Sequence, residues 1–379
     1  MKNYCSGLDL LQLIDRKEFR ALCKKWGVDR YVRSFPTWKQ VQVLVLAYVL
    51  KIESSREVEL TFGIPKSTFC DANQERCAGF FEELCRLILW KIRSVVRGRK
   101  IRRAIRNLLA IDSTECAVHG SASKFPFWQA KSGGTKASVK LHVVWNVDGE
   151  WIEDFRITPG RKNDSPVSKQ FSIAKGSTYV FDRAYNDLVF WWKIVSGGAH
   201  LVSRLKKNSH SRWRHRELVK LSEGKDGVLW DGEWKPSYPV LRKAPQIPKD
   251  FTLRRIVYRD PETKNIFNFI TSDFKACAQE IADIYRRRWS VELLFRWLKG
   301  HLNIRYFSAK TTNAIRVHVA VAVLVQLLVQ LDRLKAKAPG TLWDHLRRIR
   351  VALRLRGLKN QPSATSHRRA ASNTAVLQP

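Results

Sequence analysis

Two short apolar runs in this chain each end on an aspartate. Leu108-Leu109-Ala110-Ile111 meets Asp112, and Thr178-Tyr179-Val180-Phe181 meets Asp182. Four-residue apolar runs read as strands buried on both faces, which places them inside a sheet covered by helices. A carboxylate at the mouth of such a strand is costly unless it is hydrogen-bonded or bound to a cation. Strand ends beside the open edge of a sheet are also where α/β proteins form their sites. The two runs therefore point to an α/β fold and to where its chemistry lies.

The surrounding pattern agrees. Ser138 to Val147 alternates and reaches Asp148-Gly149, a hairpin turn leading into Trp151 to Thr158. Helices are expected over Asp164 to Ala174 and Asn186 to Val195, and a strand over His200 to Leu205. The order is three strands, helix, strand, helix, strand, an α/β core with one layer of sheet. Residues 207–265 carry prolines at 236, 239, 245, 248 and 261 and read as a β-rich insertion, with Phe251 to Tyr258 pairing with Asn265 to Ile270 through Asp260-Pro261. Upstream, residues 1–95 read as helical, over Asp9 to Trp26 and Trp38 to Ile52 among others. A short helix ending at Gly63 and a second opening at Lys66-Ser67-Thr68 have a helix-turn-helix shape; an ordinary helical hairpin is the competing reading. From about Ala276 the chain is helical through Leu331, and no packed structure is expected for Gln361 to Pro379.

Charge narrows the function. Lys and Arg number 69 against 34 Asp and Glu, a formal charge of +35. Self-repulsion of that size serves no enzyme of neutral metabolites, and it calls for a polyanionic partner: nucleic acid first, an anionic membrane second. The membrane reading is the weaker. Met1 to Leu10 has no apolar leader core, and Val317 to Leu331 is interrupted by His318, Gln326 and Gln330, as a buried core helix would be. The seven cysteines are scattered with no CxxC pair, so neither a disulfide framework nor a zinc ribbon is expected and a reduced, cytoplasmic setting is. Lys91 to Arg106 holds eight basic residues and no acid, a candidate phosphate-tracking connector.

The segment Tyr285 to Lys299 is the most informative. At about 100° per residue, Tyr285, Arg288, Glu292 and Lys299 share a helix face about 60° wide, with Leu294 opposite. Between Tyr285 and Lys310 stand seven Lys or Arg, and Glu292 is the one acid. Simple charge balance is one explanation, and exposed pairs of that kind contribute roughly 0–1 kcal/mol. The other is that the cations hold phosphates while Glu292 joins Asp112 and Asp182. Three converging carboxylates repel one another. Two Mg²⁺ ions reverse that and leave a site that attracts phosphate, suited to in-line phosphoryl transfer.

The spacing Tyr-x2-Arg-x3-Glu-x6-Lys, met by Tyr285, Arg288, Glu292 and Lys299, resembles the signature of the insertion-sequence-four group of bacterial transposases, Asp-Asp-Glu enzymes with a ribonuclease-H-like catalytic core. Leu109-Ala110-Ile111-Asp112-Ser113-Thr114 and Val180-Phe181-Asp182-Arg183-Ala184-Tyr185 are similar to the family's first and second acid motifs, except that Ala184 stands where Gly is common. The resemblance covers about residues 100 to 335. It implies that Asp112, Asp182 and Glu292 are catalytic and bind two Mg²⁺ ions, with Mn²⁺ as substitute. It implies cleavage at transposon ends to leave a 3′-hydroxyl, a hairpin step in some members, and strand transfer into target DNA. Tyr285, Arg288 and Lys299 would grip DNA phosphates, and Trp289 would stack on a displaced base, unless it is simply core. The partners implied are double-stranded DNA and a second copy of the chain, a homodimer in the synaptic complex.

The expected layout is a helical N-terminal DNA-binding domain (1–95), a ribonuclease-H-like core in two parts (100–206 and 266–335) interrupted by the β-rich insertion (207–265), and a basic C-terminal helix and tail (336–379). Trp230 and Trp234 in the insertion are further stacking candidates, but hairpin packing is the favoured reading for each. Lys140 and His142 share a strand face and are read as structural or as facing the site. Glu115 reads as a surface acid and Asp164 as an N-cap. Two other functions compete with transposition: a decayed or domesticated, catalytically inactive relative acting as a sequence-specific DNA-binding protein, and a stand-alone structure-specific nuclease.

Overall fold

The computed structural model describes residues 7–97, 107–121, 136–205, 213–217, 227–302 and 311–359. Its first part is helical: α1 (Gly7–Gln12), α2 (Arg16–Trp26), α3 (Thr37–Leu50), α4 (Ser55–Phe62), α5 (Lys66–Glu75) and α6 (Ala78–Arg97). The helix expected over Asp9 to Trp26 is two helices, because the Asp15 carboxylate accepts from the backbone N–H of Lys17 and Glu18 and starts α2 afresh. Ser54 caps α4 through the N–H of Glu57, and Gly63, at φ 63°, closes it as read. The connector reading changes in part. Lys91 and Arg93 lie on α6 and are spent on Glu18 and Glu153, while Arg99 to Arg106 lie outside the described residues.

The strands follow: β1 (Asn107–Ser121), β2 (Lys136–Asn146), β3 (Trp151–Pro159), β4 (Ser177–Phe181), β5 (His200–Arg204), β6 (Trp213–Glu217), β7 (Val228–Pro236), β8 (Leu253–Arg259) and β9 (Ile266–Thr271). They form one sheet in the order β3-β2-β1-β4-β5-β9-β8-β7-β6. β4 is parallel to β1 and β5, and all other neighbours are antiparallel. Two expectations shift. β1 does not stop at Asp112 but runs on against β2; only its pairing with β4 ends there, at Ile111 opposite Phe181. The β-rich insertion continues the core sheet, because β9 pairs with β5. β8 and β9 pair as read, whereas Asp231-Gly232 lies inside the single strand β7.

Further helices lie between and beyond the strands: α7 (Asp164–Ser168), α8 (Leu188–Ser196), α9 (Tyr238–Arg242), α10 (Ala278–Arg287), α11 (Trp289–His301), α12 (Thr312–Ala336) and α13 (Leu342–Lys359). α7 falls short of Ala174 because the Tyr179 hydroxyl takes the N–H of Ala174 and bonds to the Ser172 carbonyl. At the β2–β3 turn a Cβ on Gly149 would run into the Trp151 ring, so glycine is required there. The tail from Gln361 lies outside the described residues.

Side chains alternate across the sheet. Leu108, Ala110 and Val143 on one face join Phe80, Leu84 and Ile88 of α6 and Leu324, Leu327 and Leu328 of α12 in one buried cluster. On the other face Leu109, Ile111, Tyr179 and Phe181 pack with Phe190, Trp191 and Ile194 of α8. α12 touches α3, α5, α6, α13 and β3. Among the described residues it is the one helix long and apolar enough to cross a membrane, yet 94% of that window is buried inside the protein. Its polar residues find partners: Gln326 and Gln330 donate to the carbonyls of Glu150 and Gly149, and the Tyr48 hydroxyl of α3 donates to the His318 carbonyl. The six described cysteines are all free thiols.

Candidate active site

Asp112 lies on β1 one residue beyond the last pair with β4, and by alternation its side chain takes the face that carries α11 and α12. Asp182 follows directly on β4. Its carboxylate accepts from the N–H of Ala184 at 2.8 Å and starts a 3-10 turn, Arg183–Tyr185. Ala at 184 therefore fits the turn. Glu292 stands in the first turn of α11. At the α10–α11 junction Arg288 donates to Asp112 at 3.2 Å and to Glu292 at 2.7 Å, so one guanidinium bridges two of the three acids. The helix expected through Tyr285 to Lys299 is interrupted at that residue, but Arg288 keeps right-handed helical angles, φ −51° and ψ −31°, and Leu294 is buried on the opposite side.

Electrostatics tie the acids together. Burial pushes the Asp112 carboxyl up to about 7, with the negative charges of Asp182 and Glu292 adding to the rise; the N–H of Ser113 and the charge of Arg288 oppose it. Asp182 and Glu292 thus both act on Asp112. Among the described residues, however, no three His, Cys, Asp or Glu side chains lie close enough as they stand to hold one metal ion. The donor set itself, three carboxylates with Asp112 disfavoured as a lone anion, suits a hard oxygen-seeking cation such as Mg²⁺. Arg288 supplies the positive charge in this arrangement.

The remaining expected residues surround this centre. The Tyr285 ring packs on Phe269 at 5.3 Å between centroids, and the guanidinium groups of Arg288 and Arg204 lie 5.6 and 5.7 Å from it. Trp289 is 51% exposed and borders a recess of about 300 Å³ with Phe267, Phe269 and Tyr285. That exposure removes the core-packing reading. Lys299 lies on α11 two turns beyond Glu292, partly exposed, and makes no ion pair among the described residues. In the insertion Trp234 is fully buried against Trp191, which removes it as a stacking platform, and Trp230 is covered by the Arg255 guanidinium at 5.0 Å. Glu115 is exposed and accepts from Ser138, away from the centre.

Sequence reasoning missed a cluster behind Asp112. Lys140 and His142 are 5% and 0% exposed, and both approach Asp164, at 3.3 and 3.5 Å. Asp164 is not an N-cap: that position is Asn163, and Asp164 instead accepts from the Ser113 hydroxyl at 2.8 Å. The signal available in the sequence was the register of the strand pair, which sets Ser113 opposite His142.

Comparison with known proteins gives this geometry its context. Residues 103–328 match the transposase DDE domain, and residues 8–66 match a domain of unknown function. A candidate transposase of Sinorhizobium fredii is 33% identical over 264 residues, 69% of this chain and 69% of that protein. A transposase attributed to an insertion sequence element of Geobacillus stearothermophilus is 27% identical over 340 residues, 87% of this chain and 85% of that one. A piggyBac transposase, solved as a synaptic complex with hairpin DNA, shares the fold at a TM-score of 0.50 and 10% identity, over 100% of this chain and 87% of that one. The chain belongs to the DDE transposase family, as a member of its insertion-sequence-four type.

Proposed function

We propose that this transposase cuts DNA at the ends of its element and joins the resulting 3′-hydroxyl to target DNA, in a Mg²⁺-dependent reaction run by Asp112, Asp182 and Glu292. The observation that carries the proposal is the guanidinium of Arg288 joining Asp112 of β1 to Glu292 of α11, with Asp182, at the end of β4, near enough to act electrostatically on Asp112. The strand order β3-β2-β1-β4-β5 supports reading the core as ribonuclease-H-like. Two Mg²⁺ ions, with Mn²⁺ as substitute, supply an activated oxygen nucleophile and a counter-charge for the leaving oxygen when bound.

The chain's own residues do the rest. Arg288 holds the carboxylates in place and is positioned to exchange them for a DNA phosphate, a geometry its planar fork suits. Tyr285 buttresses Arg288, Lys299 adds a second phosphate contact further along α11, and Trp289 offers an exposed ring to a displaced base, where stacking contributes roughly 1–3 kcal/mol. The excess positive charge draws the duplex in and makes binding steeply salt-dependent. The helices of residues 7–97 recognise the ends, two copies of the chain pair in the synaptic complex, and the setting is the bacterial cytoplasm, at the nucleoid.

The test is purified full-length protein with end-bearing duplex and Mg²⁺. Cleaved 3′-hydroxyl ends and joined products are expected. Asp182→Ala, which removes several kcal/mol of charge stabilisation, takes cleavage below detection while end binding stays intact or tightens, because a negative charge near phosphate is gone. Loss of binding and cleavage together contradicts the assignment. Binding without cleavage by the native protein supports an inactive DNA-binding relative, and cleavage without joining a nuclease.

A further inference from the structure

Behind Asp112, on the opposite face of the sheet, lies a polar cluster that the proposed reaction does not use. Asp164 opens α7 and takes the Ser113 hydroxyl at 2.8 Å. The Lys140 ammonium lies 3.3 Å from the same oxygen and also donates to the Lys162 carbonyl at 3.0 Å. His142 is 3.5 Å from Asp164 through Nδ1, and its Nε2 meets the Thr158 hydroxyl at 2.8 Å. Ser113 links this cluster to the site, since its backbone N–H donates to Asp112 Oδ1 at 2.8 Å. The fully buried Tyr185, on the turn after Asp182, feels the charges of Asp112, Asp164 and Asp182 together.

Buried ion pairs are poor devices for stability alone, because well-packed apolar side chains of the same volume serve as well or better. A serine hydroxyl otherwise rotates to suit its surroundings; here a charged acceptor, itself held by Lys140, fixes it. We infer that Asp164 is a positioning residue for the active site, acting through Ser113 to hold Asp112 in the orientation that binds metal. The inference rests on the functional reading above. It adds a charged support, on the far face of the sheet, that none of the expected site residues includes.

The experiment compares Asp164→Ala, Ser113→Ala, their double variant and Ser113→Thr in the full-length protein. It follows Mn²⁺ affinity by calorimetry, cleavage rate, end-DNA affinity and thermal melting. Removing a partner that orients a metal ligand typically costs roughly 10–100-fold in metal affinity or activity. Each alanine variant is therefore expected to lose Mn²⁺ affinity and cleavage in that range, with end-DNA affinity unchanged. The double variant loses no more than the worse single one, since the two residues act in series. Ser113→Thr, which keeps the hydroxyl, restores both properties. Should Asp164→Ala fail to fold, the Ser113 pair decides. Ser113→Ala that binds Mn²⁺ and cuts like native protein, or additive losses that merely track melting temperature, overturns the inference and leaves the functional reading standing. Native protein that neither binds Mn²⁺ nor cuts overturns both.

Discussion

Arg288 donates to two acids at once, and each contact is a charge-assisted hydrogen bond of about 1.5–3 kcal/mol. A guanidinium so placed competes with any cation drawn to the same oxygens. Arg288→Ala is therefore expected to raise Mn²⁺ affinity of the DNA-free protein by about tenfold while weakening end binding. Calorimetry with Mn²⁺ checks it, and unchanged or weaker metal binding means that the guanidinium does not compete. The acids themselves were legible from the chain because a carboxylate closing an apolar run has few bland explanations. The pairing of Arg288 with Glu292 follows from their helical spacing, but its contact with Asp112 was not legible, since a helical step gives a direction and not the neighbour it meets across 176 residues. Asp164 misled for a related reason. Its position before a helix suggests a cap, but a strand not adjacent in sequence offered its oxygen a hydroxyl. Trp234 is sealed, as its place in a strand hairpin suggested, while Trp289 is open, a difference that packing decides.

Among the elements, α12 does the most work. Leu324 is fully buried and sits in the cluster that joins α6 to the first face of the sheet. Leu324→Ala is expected to cost about 2–5 kcal/mol, measured by urea unfolding. Tryptophan fluorescence and far-UV circular dichroism should move together, since helices and sheet share this support; two separate transitions would refute the shared core. The strands were read well where alternation and a turn coincide, as at Asp148-Gly149. They were read too short in β1, where polar residues beyond Asp112 hide the continuing partnership with β2. The insertion was recognised as β-rich, yet a strand pattern carries no statement of which edge it will join, and β9 joins β5.

Over the whole molecule, pH acts through groups that burial has shifted. His318 of α12, packed against Tyr48, is pushed by burial down to about 4 from its ordinary 6.5. Between those values the unfolded chain takes up a proton that the folded chain refuses, so stability is present above 6.5 and lost as pH falls toward 4, by on the order of 3 kcal/mol. Asp112, shifted upward, acts with the opposite sign, so the informative quantity is a difference. The drop in unfolding free energy from pH 7 to pH 4.5 should be smaller in His318→Gln than in native protein, and an equal drop would remove His318 as the cause. The placement of α12 also bears on biosynthesis. α1, α3, α5 and α6 leave the ribosome before the helix they pack against has been translated. Their oily sides thus wait, uncovered, through the making of nine strands, and newly made chains depend on chaperones or speed to escape clumping.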